Sequence, residues 1–133
     1  MANALYPKAK EAFLNKDIDM VDDTIVIALV DTANYTYSAT HQYRSDVSNT
    51  AIISTSTLSN KTTTNGVFDA DDATFTSVTG ANAEALIIYQ DTGNQATSRL
   101  IAYIDSATGL PILPNGGDIT VAFSSGSSKI FAL

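Results

Sequence analysis

Thr24-Ile25-Val26-Ile27-Ala28-Leu29-Val30-Asp31 is the stretch on which the reading of this chain turns. Four of its six apolar residues are β-branched, the type that fits a pleated strand. The run is continuous rather than alternating, so the strand expected here is buried on both faces, in the middle of a domain. It is far shorter than the ~20 residues a membrane-crossing helix needs. Outward from it, further short apolar segments recur at 35–37, 51–58, 67–68, 74–78, 85–90, 99–104, 119–123 and 129–131, separated by Gly, Asn, Asp, Ser and Thr. Seven or eight strands at this spacing, with no helices between them, predict a mainly β fold. The specific expectation is an antiparallel β-sandwich, jelly-roll or Ig-like, with one short N-terminal helix. Residues 85–90 and 99–104 should pair as a hairpin across Asp91-Thr92-Gly93-Asn94-Gln95, and 119–123 with 129–131 as a second over residues 124–128. Residues 67–68 and 74–78 should flank a hairpin turn at Asp69-Ala70-Asp71-Asp72, and Asn65-Gly66 closes the turn before it. The stretch 105–117, holding Gly109, Pro111, Pro114, Gly116 and Gly117, reads as a long surface loop.

The helix falls within residues 4–16 and is expected over about 7–15. Pro7 suits a first helical turn, and Ala9, Ala12 and Phe13 share one face at helical spacing. Asn15 is the expected left-handed cap. Residues 1–133 form one domain by this reading, with 1–22 as an N-terminal arm and helix.

Composition narrows the function. Ser and Thr supply 30 of 133 residues, while Cys and Trp are absent and His41 is the single histidine. No thiolate metal site or disulfide framework is available. Twelve of the 14 acidic residues are Asp, a turn and cap former, and the formal charge is −7. Nucleic-acid binding requires a basic footprint that this chain lacks, and an acidic chain has no electrostatic grip on anionic membranes. The lysines at 8, 10 and 16 are followed by no apolar signal region, so no secretory peptide is expected.

Catalytic constellations are thin. A Ser-His-Asp system would rest on His41, yet no Gly-x-Ser-x-Gly elbow accompanies it. Asp69, Asp71 and Asp72 match only the opening of a calcium loop, with no following Gly and no closing Glu. They read better as turn formers, as do Asp17, Asp19, Asp22 and Asp23. No cofactor, metal ligand or catalytic residue is assigned.

Taken end to end, the chain resembles small virion structural proteins of tailed bacteriophages. The resemblance runs through Ala4-Leu5-Tyr6-Pro7-Lys8-Ala9-Lys10-Glu11-Ala12-Phe13-Leu14, the strand at 23–32 with Tyr35-Thr36-Tyr37, and Gly66-Val67-Phe68-Asp69. It continues in Glu84-Ala85-Leu86-Ile87-Ile88-Tyr89, Arg99-Leu100-Ile101-Ala102-Tyr103-Ile104-Asp105, Pro114-Asn115-Gly116-Gly117-Asp118-Ile119 and Lys129-Ile130-Phe131-Ala132-Leu133. Lys16 stands where that pattern usually has glycine, and residues 122–125 are less charged and aromatic than usual. What the resemblance implies is a non-enzymatic capsid decoration or cement protein on the outer surface of the phage head, with the major capsid protein as partner. A tail, neck or host-adhesion component is the alternative, and a glycan-acting enzyme ranks third.

Two expectations concern contact. Across the strands only Arg99 and Lys129 are basic, so few charges guard exposed sheet edges, and a cyclic homotrimer would cover them. Leu5, Tyr6, Tyr35, Tyr37, His41, Tyr43 and Arg44 are the candidate interface residues, because Tyr and Arg carry binding energy where protein surfaces meet. The other reading of these tyrosines is that they pack the end of the sandwich.

Overall fold

The computed structural model describes residues 3–105, 110–123 and 130–132. β2 (Ile25–Val30) is wholly buried and lies between β3 (Ile52–Thr57) and β6 (Ala85–Gln90), antiparallel to both. β6 pairs in turn with β7 (Leu100–Ile104), the expected hairpin, and β7 with β1 (Ala4–Leu5). The resulting five-stranded sheet has the order β1-β7-β6-β2-β3. Two short antiparallel ribbons complete the strands. β4 (Val67–Phe68) pairs with β9 (Phe131–Ala132), and β5 (Ala73–Phe75) with β8 (Ile119–Val121). The fold is therefore mainly antiparallel β with one N-terminal helix, as the segment spacing implies. No helix among the described residues is long and apolar enough to cross a membrane.

Alternation along the strands sorts the core into two layers. Ile25, Ile27, Leu29, Leu86 and Ile88 face the ribbons and meet Phe68, Ala73, Phe75 and Val78. Val26, Ala28, Val30, Ile87 and Tyr89 face the other way and are covered by Tyr6, Ala9, Tyr35, Val47 and Ala51. Ile101 is an extra residue in β7, since Ile88 pairs with Ala102 while Tyr89 pairs with Leu100. Such a bulge lets Ile101 and Ala102 both join the first layer. Its carbonyl accepts a hydrogen bond from Tyr6 N at 3.0 Å, which ties the start of the helix to the sheet.

The helix, α1, spans Pro7–Leu14. Residues 4–5 belong to β1 instead, because the residue before a proline is held extended and Tyr6 adopts φ −63°, ψ 132°. Ala9 and Ala12 are buried and Phe13 is half-buried, so the expected apolar face does pack on the sheet. The left-handed cap falls on Lys16 (φ 67°) rather than Asn15. Lys16 N donates to Phe13 O at 3.3 Å and Asp17 N to Ala12 O at 2.8 Å, the pair of bonds that defines a Schellman ending.

Two expected hairpins are not formed. Residues 119–121 pair with β5 and 131–132 with β4, so the C-terminal segments part company; the turn placed at 124–128, and Lys129, lie outside the described residues. The separation follows packing: Phe131 sits 5.3 Å from the Phe68 ring and 6.4 Å from Phe13, whereas Ile119 and Val121 lie against β5. For the same reason Asp69–Asp72 is not a hairpin turn. Asp69 bridges to Thr62, and Asp71 N donates to Ser59 O at 2.9 Å.

Ile27 is fully buried and paired on both sides. Ile27→Ala is expected to cost about 2–5 kcal/mol, from lost transfer energy plus the cavity left behind. Urea unfolding with an unchanged m value is the check.

Candidate interface region

Residues 31–51 run across one face of the sheet without a strand of their own, and local hydrogen bonds shape them. Asp31 accepts from Ala33 N and Asn34 Nδ2, each at 3.0 Å, opening the segment with a turn. Asp46 Oδ2 accepts from Gln42 N at 2.8 Å and Tyr43 N at 3.0 Å, fixing the short 3₁₀ turn Arg44–Asp46. Those N–H groups hold the Asp46 carboxyl below the usual carboxylate range against the opposing effect of burial, with His41 assisting.

The aromatic residues gather here. The Tyr6 and Tyr35 hydroxyls are 2.8 Å apart, and the Tyr35 hydroxyl lies 2.8 Å from His41 Nδ1, giving a three-member hydrogen-bonded chain. The Tyr37 ring stands 5.0 Å from Tyr6 and 5.3 Å from Tyr103. Burial pushes the Tyr35 phenol up to about 12 and the Tyr6 phenol higher still, reinforced at Tyr6 by its bond to Tyr35. Beside them is a hollow of about 440 Å³ lined by Thr32, Tyr37, Glu84, Tyr103 and Asp105 among others. Glu84 Oε1 is already engaged, accepting from Thr32 N at 3.1 Å and Thr32 Oγ1 at 3.2 Å.

The seven candidate interface residues thus divide. Tyr6, Tyr35 and Arg44 are buried, at 0%, 5% and 6% exposure, so within one chain they pack the end of the fold. Arg44 is the clearest departure from the expectation of a surface anchor. Its Nη1 donates to Val47 O at 2.8 Å and its Nη2 to Asn49 Oδ1 at 3.1 Å, with the guanidinium over the Tyr89 ring. Its acceptors lie three and five residues onward, a spacing from which a local brace could have been inferred. Leu5, Tyr37, His41 and Tyr43 remain half-exposed. Tyr43 carries the Arg99 guanidinium 5.4 Å from its ring centre.

Several carboxylates elsewhere bond to the chain's own groups, near and far in sequence. Asp19 Oδ1 accepts from Val21 N and Asp22 N, which lowers its pKa, and Asp23 Oδ2 accepts from Gln90 Nε2 at 2.6 Å. Asp71 Oδ2 takes Asn60 Nδ2 at 2.5 Å, and Asp72 Oδ1 takes Phe123 N at 3.1 Å. Among the described residues no three His, Asp or Glu side chains gather in a metal-holding group. The His41 ring has a tyrosine, not a serine, on Nδ1. Comparison with protein-family models and with curated proteins finds no match.

Two outcomes follow. Arg44→Ala should cost about 2–3 kcal/mol, because it strips charge-assisted hydrogen bonds from a buried site; chemical denaturation measures it. Stability should also fall with alkali. A phenol whose folded pKa is raised favours folding fully below the free value near 10 and loses that contribution as pH climbs through the folded one. For Tyr35 the window is about pH 10–12. Urea midpoints across this range should decline, and Tyr6→Phe/Tyr35→Phe should flatten the decline.

Proposed function

We propose that the chain is a non-enzymatic structural protein of a bacteriophage virion: a capsid decoration protein that binds the outer surface of the head and stabilises the shell. The observation that carries this reading is the ordered sequence resemblance extending from Ala4 to Leu133. Two features of the fold support it. The half-exposed Tyr37, His41 and Tyr43 stand on a segment held by buried braces at Tyr6, Tyr35 and Arg44, so they are presented with little freedom left to lose on binding. Asp19, Asp46 and Asp71 each accept hydrogen bonds from the chain's own groups, which suits a protein that works by contact.

The major capsid protein is the partner in this reading, and the chain acts as a homotrimer at sites of matching symmetry. Each contact is small; many copies on one shell multiply weak polar and aromatic contacts into firm adhesion. Heads assembled with the protein should survive heating or chelation better than heads without it. Equal survival would end the cement reading. Copy number on the order of hundreds per virion is expected, since each shell site takes its own copy; a handful would place the protein in the tail or neck. Tyr43→Ala with His41→Ala should weaken co-sedimentation with heads while the melting temperature of the isolated protein stays within a few degrees. Arg44 is unsuited to that test, because its loss unsettles the fold.

A further inference from the structure

We infer that Tyr6 and Tyr35 fix His41 in the tautomer that turns an N–H donor to the surface, so that the group it meets on a partner is a hydrogen-bond acceptor. The Tyr6 hydroxyl, on a residue of 0% exposure, has one hydrogen-bond partner among the described residues, the Tyr35 hydroxyl at 2.8 Å. The Tyr35 hydroxyl has a second partner, His41 Nδ1, also at 2.8 Å. Both phenolic protons can be used in one way only: Tyr6 donates to Tyr35, and Tyr35 donates to Nδ1. A proton on Nδ1 would reverse the second bond and leave one of the two phenolic protons without an acceptor. An unpaired donor in a buried site is the costly case. Nδ1 is therefore the acceptor, and the neutral ring carries its proton on Nε2.

That nitrogen is the one turned outward. His41 is half-exposed, and its Nε2 reaches solvent with no partner among the described residues. Asp46, the carboxylate on which the ring acts, is engaged by Gln42 N and Tyr43 N instead. The ring is held from behind as well: His41 N donates to Ser38 O at 3.1 Å, and the ring centre lies 5.4 Å from that of Tyr35. A positioned donor with nothing on it is satisfied by a carbonyl or carboxylate oxygen, whereas a lysine or arginine offers it no acceptor. Tyr6 and Tyr35 are thus positioning residues, acting on the contact through His41. The partner group rests on the reading above that His41 meets the head; the tautomer does not.

Nitrogen NMR of the isotopically labelled full chain, at mildly alkaline pH on the neutral ring, tests the tautomer. His41 is the single histidine, so its ring signals need no assignment. The wild type should carry the proton on Nε2, with Nδ1 as acceptor, and Tyr35→Phe should let the Nδ1–H form appear. A wild-type ring protonated on Nδ1, or a tautomer ratio untouched by Tyr35→Phe, overturns the inference whether or not the protein binds heads. Co-sedimentation with heads tests the partner group. His41→Asn keeps an oxygen to accept from Tyr35 but has no donor at the outer position, and should weaken binding about tenfold, the loss of one hydrogen bond. His41→Gln, whose amide N–H reaches the Nε2 position, should restore it. If His41→Asn binds like the wild type, or His41→Gln no better than His41→Asn, the acceptor on the partner is overturned and head binding stands. A wild type that leaves heads bare overturns the capsid reading, and the nitrogen spectrum still decides the tautomer.

Discussion

Burial of β2 on both faces is the constraint from which the rest of the architecture follows. Six apolar residues in a row leave neither side of the strand fit for water, so two covering layers are required rather than one. The ribbons supply one layer and α1 with the 31–51 segment supplies the other. An irregular segment can serve as a layer only if its backbone polar groups are satisfied. That is why Asp31, Asp46 and Arg44 occupy it, each serving neighbouring groups within five residues.

The same arrangement divides labour within the aromatic cluster. Tyr6 and Tyr35 bond to each other in the interior, and Tyr35 extends the chain to the half-exposed His41. The buried pair limits how the outer rings can move, since Tyr37 leans on Tyr6 and Tyr103. Rigid aromatic side chains at a surface would lose little entropy on contact with a partner. The residues that would meet a partner are not those that position them.

Elements defined by local runs were legible in the amino-acid sequence. β2, the β6–β7 hairpin and the core face of α1 each announce themselves by residue type and spacing. The ribbons do not, because two- and three-residue strands carry almost no periodic signal. Their partners are chosen by remote fits such as Phe68 against Phe131, which a hairpin rule overrides wrongly. Which of the seven candidate contact residues would be buried and which exposed was not legible in the sequence. Tyr and Arg are enriched both at contacts and in braced interiors, and only partners in space separate the two. For Tyr6 that partner lies 29 residues away.

The pairing of β4 with β9 and β5 with β8 also bears on how the chain is made. Phe68 waits for Phe131, and Ala73 waits for Val121, so the layer over Ile25, Ile27 and Leu29 cannot assemble as each strand leaves the ribosome. Contacts between distant segments fold slowly and leave apolar surface open meanwhile. During synthesis the most hydrophobic stretch of the molecule emerges early, and its face carrying Ile25, Ile27 and Leu29 is covered last. Its safety then rests on what surrounds it in the cell, until Phe131 has cleared the exit tunnel.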